Sequence, residues 1–443
     1  MKRAFELCLL AGFFCAPSIA AAGADDDRLI VHEWSTFTCL QDENGKAVGG
    51  INIEDVPVPE TLHKIAPGSL LPVTESGETT AEAPRCHSQV TMRLEKAVVS
   101  FYPTPDFDLH VNAEVGWSRG WLTQYSPAAS IVESWGFTRD HVGSLDFQRS
   151  SLEWRDIILH PVAHDLIADT QSSPDANAPK PAQVEVKGDL ADCIVYRGVA
   201  NQSAPLRVIR SGPEFIITSA GKAQIELPQL WLSEIAANGR NSVRVLHPFN
   251  EETAFLVRTP ARFTEEDSSP DCIDALKSDL KAAAQRAGLF EPEAGALVEA
   301  LSIAHFRRVG LRLFFIAPEK SIMPYFFTRI TTRARHGRWS SVESRRVTVG
   351  CIEIVTPEQR ALLARIAAGG EDQSVTGLQP KAEMLSEDRW HELQEMYAWL
   401  GQFGNALTLD EQRRRPGPIL QAFIQRFHLE GYTPKSRFER PGR

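Results

Sequence analysis

The chain lacks every short motif that names a chemistry by itself. Across 443 residues there is no P-loop, no zinc-finger spacing and no Gly-x-Ser-x-Gly elbow. Phosphate cradling, a zinc finger and an α/β-hydrolase nucleophile therefore lose their usual signatures. Positive charge is short as well. Lys and Arg number 47 against 57 Asp and Glu, a net −10, which argues against general nucleic-acid binding. Beyond the opening segment no apolar run is long enough to span a membrane, and no internal repeat occurs. Cysteine is scarce, seven in all. What remains is ordinary for a globular protein with real cores: 43% apolar and 23% charged residues. The length suits two or three domains at ~100–200 residues each.

The opening segment is the most informative stretch. Lys2 and Arg3 precede a run from Ala4 to Phe14 that is apolar apart from Glu6, and Ala20-Ala21-Ala22 supplies small residues for cleavage. That order predicts a signal peptide over residues 1–22 and an exported chain, periplasmic or secreted, beginning near Gly23. Phe13 and Phe14 fit poorly with lipid attachment at Cys15. Removing Lys2, Arg3 and Glu6 makes the net charge one unit more negative. Five cysteines stay, Cys39, Cys86, Cys193, Cys272 and Cys351, and an odd count leaves at least one thiol. A Cys39–Cys86 disulfide is expected, because it would staple the Pro-rich stretch between them. Cys193 and Cys351 read as small core residues inside strands.

The fold class expected is mixed and β-rich. An antiparallel, β-sandwich-like N-terminal region is followed by an α+β C-terminal region. Short β-branched or alternating runs recur through residues 29–260, among them Lys96–Tyr102 and Asp106–Gly116, with turn residues between them. We expect one β-rich domain over 23–170, a second or a continuation over 171–260, and helices mixed with strands over 261–443. Long loops are expected over Val56–Pro84 and Ala168–Pro181. Ile273, Leu276, Leu280 and Ala283 form one helical stripe, and a second helix starts at Glu291. Thr356-Pro357-Glu358-Gln359 is a capping box with Pro at the first helical position. Further helices begin at Ser386 and after Pro416-Gly417-Pro418. Charge is uneven: nine acids and two bases over Gly23–Glu60, ten bases and two acids over His305–Arg346. Pairing between such segments, or a solvated basic face, is expected.

The segment His32-Glu33-Trp34-Ser35-Thr36-Phe37-Thr38 resembles the opening of a family of exported bacterial proteins, which starts Val-His-Glu-Trp-Gly-Thr-Phe-Thr. Met92-Arg93-Leu94-Glu95 leading into Phe101-Tyr102, Gly120-Trp121-Leu122-Thr123 with Tyr125, and Tyr196-Arg197-Gly198 extend the resemblance. So do Val349-Gly350 before Ile352-Glu353, and Asn405-Ala406-Leu407, so that it covers nearly the whole chain after the leader. The sequence departs from the pattern at Ser35, in place of Gly, and at Cys351, in place of Arg. The resemblance implies a shared fold and export, and no mechanism.

Three constellations carry candidate chemistry. His32, Glu33 and His87 form a two-His-one-carboxylate set suited to a divalent metal such as Zn²⁺ or Fe²⁺, if a Cys39–Cys86 bridge draws the segments together. On a strand, however, His32 and Glu33 point to opposite faces. Trp117, Trp121, Tyr125 and Trp135 cluster around Glu133 and would suit sugar stacking if exposed, with Glu33 and Asp108 as further carboxylates. Aromatics at strand spacing are more often core. His160 and His164 stand four apart, but Pro161 turns His160 away from a helix. Two functional expectations follow. One is a non-enzymatic envelope protein that binds a glycan, polymer or protein partner. The other is an exported hydrolase or metal-dependent enzyme centred on His32, Glu33 and His87.

Overall fold

The computed structural model of the chain describes residues 28–52, 62–64, 86–104, 107, 109–135, 145–147, 149–161, 179–221, 227–247, 249–251, 254–322, 326–332, 341–370, 382–429 and 431. The expected leader, most of both long loops, Asp108 and His164 lie outside the described residues.

Strand β1 (Arg28–Gln41) organises the molecule. Its side chains alternate, as period two requires. Leu29, Val31, Phe37 and Cys39 enter one core, while Trp34 and Leu40 enter cores on the other side. Both faces are covered. The polar residues His32, Glu33, Ser35 and Thr38 are therefore buried and must find partners inside the protein. Ser35, where the resembling motif has Gly, keeps ordinary strand geometry, and its hydroxyl lies 2.8 Å from that of Thr348.

On one side β1 pairs antiparallel with β3 (Met92–Pro103), with an irregularity between Thr36 and Phe37. On the other it pairs in parallel with β19 (Ser341–Ile354) from Arg28↔Ser341 to Gln41↔Ile354. These strands are the middle of a nine-stranded sheet. Outward from β19 run β17 (Gly310–Ala317), β13 (Leu230–Ile235) and β14 (Asn241–Leu246). Outward from β3 run β10 (Ile194–Ala200), β5 (Gly120–Ser126) and the two-residue β2 (His63–Lys64). Gly350 of β19 faces both Phe37 and Phe315, and a Cβ there would stand 2.6 and 2.5 Å from their rings. Only the missing side chain lets the two rings meet across the sheet.

A second sheet holds β11 (Leu206–Ser211), β12 (Glu214–Ser219), β16 (Ala254–Pro260) and β15 (Phe249–Glu251). A third holds β18 (Phe326–Thr332), β4 (His110–Ser118), β7 (Arg149–His160), β8 (Gln183–Val186) and β9 (Asp189–Ala191), with β6 (Ser130–Trp135) beside β7. Residues from all three sheets share one apolar core, including Val31, Phe101, Val115, Trp154, Phe215 and Phe315. This is the expected β-rich, sandwich-like packing. β1–β19 is its parallel pair; the other described strand pairs are antiparallel.

Helices cover the opposite face of the large sheet. α1 (Cys272–Arg286) and α2 (Glu291–Ala304) bury the expected stripes against Trp34, Trp231, Phe314 and Val349. A short α3 (Glu319–Ile322) follows β17. α4 (Pro357–Ala367) starts at the expected capping box: Thr356 Oγ1 accepts from the Gln359 amide, and Gln359 Oε1 accepts from the Thr356 amide. α5 (Glu387–Ala398) is capped by Ser386, and α7 (Pro418–Arg426) begins at Pro418. Between them lies α6 (Gly404–Arg414), which has no side-chain cap and was not expected as a helix. α4 to α7 pack together over Leu40, Trp121 and Val199, so the C-terminal helices close on strands from the first half. The large sheet crosses both expected boundaries, near 170 and near 260.

The expected disulfide is absent, and Cys39 and Cys86 both remain thiols. The reason is placement. Cys39 projects into the inter-sheet core, whereas Cys86 lies on the helical side beside Asn405 of α6. With it goes the structural argument for an oxidising compartment. No helix among the described residues is long and apolar enough to cross a membrane.

Candidate functional site

His32 has the most organised surroundings of the expected site residues. It sits on the helical face of β1, opposite Ser100 on β3 and beside Arg345 on β19. Its Nδ1 lies 2.6 Å from Glu293 Oε2. Glu293 occupies the third position of α2, where it also accepts the Phe290 amide at 3.0 Å. That local capping contact holds the carboxylate in place. The other oxygen, Oε1, accepts from the Tyr102 hydroxyl at 2.9 Å. Burial, reinforced by the Glu293 charge, pushes the Tyr102 hydroxyl above its ordinary range. The rings of Phe290 and Tyr102 enclose the imidazole at 4.5 and 5.1 Å. Its Nε2 is buried with no hydrogen-bond partner among the described residues. A carboxylate on one ring nitrogen fixes the ring and leaves the other for a second group.

Glu33 faces the opposite way, as expected for its neighbour on a strand. Its Oε1 accepts from Tyr196 at 2.6 Å and its Oε2 from Arg346 Nε at 2.9 Å. The Arg346 guanidinium lies 5.1 Å over the Phe326 ring. Burial pushes Tyr196 well above its ordinary range, helped by the Glu33 charge. For Arg346, burial opposes the charge and Glu33 outweighs it, raising the value. Glu33 thus spends both oxygens within the fold.

A thiol and an imidazole do meet elsewhere. Cys351 Sγ lies 3.9 Å from His305 Nδ1, and His305 Nε2 lies 3.2 Å from Thr38 Oγ1. Burial drives the thiol well up and the imidazole well down, the latter also under repulsion from Arg312, Arg93 and Arg308. Both groups are held neutral. A cysteine nucleophile needs the opposite arrangement, a thiolate beside an imidazolium. Alongside, Arg312 donates to Glu353 at 3.0 Å and to the carbonyls of Arg308 and Val309, while Gln402 donates to the same carboxylate at 2.7 Å.

The remaining expected residues scatter. His87 accepts the Gln89 amide and packs edge-on against Trp121. No group of three metal-binding side chains forms among the described residues. The three aromatics of the quartet whose side chains are described form no exposed platform. Trp117 is buried against Phe326, Trp121 lies in the helical core, and Tyr125 packs on Trp154 and His63. The side chains of Trp135 and Glu133 lie outside the described residues. His160 ends β7 with Nε2 2.7 Å from Glu185. Beside Trp117, a cavity of about 20 Å³ is lined by Ser35, Phe37, Met92, Phe326 and Thr348, room for one water and far too small for a sugar.

Glu293, Tyr102, Tyr196, Arg346 and His305 are the partners that sequence reading did not supply. The one available signal was the run of polar residues on both faces of β1, each of which needs a mate. One pair of the expected kind joins the two segments, Arg346 with Glu33; Arg329 pairs instead with Glu114, outside the acidic segment.

No family model and no curated protein matches the chain. Among solved structures, the yeast delta-COP-I mu-homology domain aligns over 74% of this chain and 95% of its own at 8% identity, TM-score 0.26. The same domain complexed with a Dsl1 WxWxV peptide aligns over 74% and 96% at 10% identity, TM-score 0.23. Likeness at that level carries neither fold nor function to this chain.

Proposed function

We propose that the chain is a non-catalytic binding protein whose partner is another polypeptide. The observation that carries this reading is the state of Glu33, buried with both oxygens bonded internally. A metal ligand or general base needs an oxygen to offer. Of the aromatic residues suggested for sugar stacking, Trp117, Trp121 and Tyr125 are core residues, which moves the reading from a glycan to a protein. The test is titration of the purified chain against co-purifying proteins by light scattering. A saturable complex of fixed stoichiometry supports the reading.

A second reading rests on His32 Nε2, buried and lacking a partner among the described residues, with Glu293 orienting the ring. It re-centres the hydrolase alternative on His32 and Glu293, with Ser100 alongside, and drops Glu33 and His87. Turnover of an ester or amide substrate that is abolished in His32→Gln, at unchanged melting temperature, would establish it and overturn the binding reading.

A further inference from the structure

The ends of the three sheets are not alike. β14, at one end of the large sheet, is met by the chain that follows it: the Val243 amide donates to the Asp267 carbonyl at 2.8 Å, and Arg244 clasps Asp267. β11 is met in the same way, its Arg210 amide donating to the Glu43 carbonyl at 2.8 Å. β2, β9 and β15 have only two or three residues each. β6 also pairs with one described strand, β7, but most of its side chains lie outside the described residues. β18 is the longest strand with a single strand partner among the described residues: seven residues, FFTRITT, paired with β4 on one side. Half of the amides and carbonyls of such a strand point away from its neighbour.

The side chains along β18 add a charge preference. Phe327, Arg329 and Thr331 share one face, at alternate positions. The Phe327 ring lies over Gly116, where a Cβ would stand 2.2 Å from it. Two guanidinium groups stand over that ring, Arg149 at 5.7 Å and Arg329 at 5.5 Å. Arg329 also pairs with Glu114 at 2.8 Å, but its side chain is 64% exposed, so that bond is weak and exchangeable. On the other face, half-buried Ile330 packs against the inter-sheet core.

We propose that β18 is the docking edge, and that its occupant is an extended acidic segment of a partner polypeptide, added as one further strand. Backbone bonds to β18 supply affinity. Alternate Asp or Glu residues of the partner lie against Arg329, the Arg149 guanidinium adding positive charge from across the Phe327 ring, and the intervening apolar residues cover Ile330. This rests on the polypeptide-binding reading and names its surface.

The test selects nonapeptides from a random display library on the full chain and measures individual binders by fluorescence anisotropy. Selected sequences should alternate acidic and apolar residues. The double substitution Arg149→Glu, Arg329→Glu should weaken them by about tenfold or more, since the favourable cross-strand pair with Arg329 becomes repulsive and the attraction from Arg149, reaching over the Phe327 ring from β7, is reversed as well. Both side chains are exposed, so the fold should survive, and a matching melting temperature checks it. Amide exchange over residues 326–332 should slow with peptide bound. Binders indifferent to the double substitution, with slowing elsewhere, would overturn this edge and leave the broader reading standing. Failure to enrich any peptide would also overturn strand addition, while the light-scattering titration separately decides the broader reading.

Discussion

Glu33 brings a charge to a place water does not reach, and its worth depends on keeping both partners. Glu33→Gln leaves the Arg346 guanidinium buried beside a neutral amide. Removing one partner of such a pair costs about 3–5 kcal/mol. Urea unfolding should show a loss in that range, and a change below about 1 kcal/mol would mean that the pair is solvated. His305 makes a different prediction. Its native value lies well below the ordinary one, so below about pH 6.5 the unfolded chain takes up a proton that the folded chain refuses. Stability from this group is complete above that pH and declines as pH falls below it. In His305→Asn the slope between about pH 6.5 and 5 should flatten; an unaltered slope would place the titration elsewhere. Among the thiols, burial pushes Cys193 up to about 11 and Cys351 well above its ordinary range. Because Cys193 is only half-buried, an aromatic disulfide reagent should modify it in the native protein well before Cys351.

Single elements differ in how plainly the sequence announces them. The capping box of α4 is local, with every participant inside four residues, and it forms as read. Thr356→Ala should cost about 1 kcal/mol by thermal melting. α1 was equally plain, since a stripe spaced three and four apart needs only one apolar surface to meet. β1 was not. Its apolar opening, Leu29-Ile30-Val31, is only three residues long, yet the strand continues to Gln41. Polar residues on both faces hide the usual alternation of apolar with polar, because each is answered by a residue far along the chain. His32 meets Glu293, 261 positions away, and no spacing rule reaches that far. α6 was missed for want of a cap, and β18 was missed because its alternation mixes Thr with Phe and Ile. The opposite facing of His32 and Glu33, by contrast, followed from strand geometry alone.

Across the whole molecule, the first and last thirds share one sheet and one set of helices. A fragment ending at residue 260 would keep β1 without β19 and would lose α1 and α2. Such a fragment should show no cooperative melting transition, and a sharp one would mean that its strands hold without the second half. Glu43 ties the same halves together at the surface, bonded to Arg360 of α4 and Arg414 of α6. Partial burial works against its charge, but those two cations outweigh it and bring its value down to about 2. The contribution is present above the unfolded value near about 4.3 and disappears as pH falls towards about 2. Glu43→Gln should therefore narrow the stability gap between neutral and acidic solution in that window, by a modest amount since the site is largely solvated.

The parallel partnership of Arg28 with Ser341 also has a consequence in time. A ribosome adding about 5–20 residues per second finishes β1 roughly 15–60 s before it finishes the neighbour on β1's other flank. Throughout that interval a buried strand rich in unsatisfied polar groups waits with one side bare. Newborn chains of this protein should need a holding chaperone during synthesis, and slowing translation between the two segments should lengthen their stay on it.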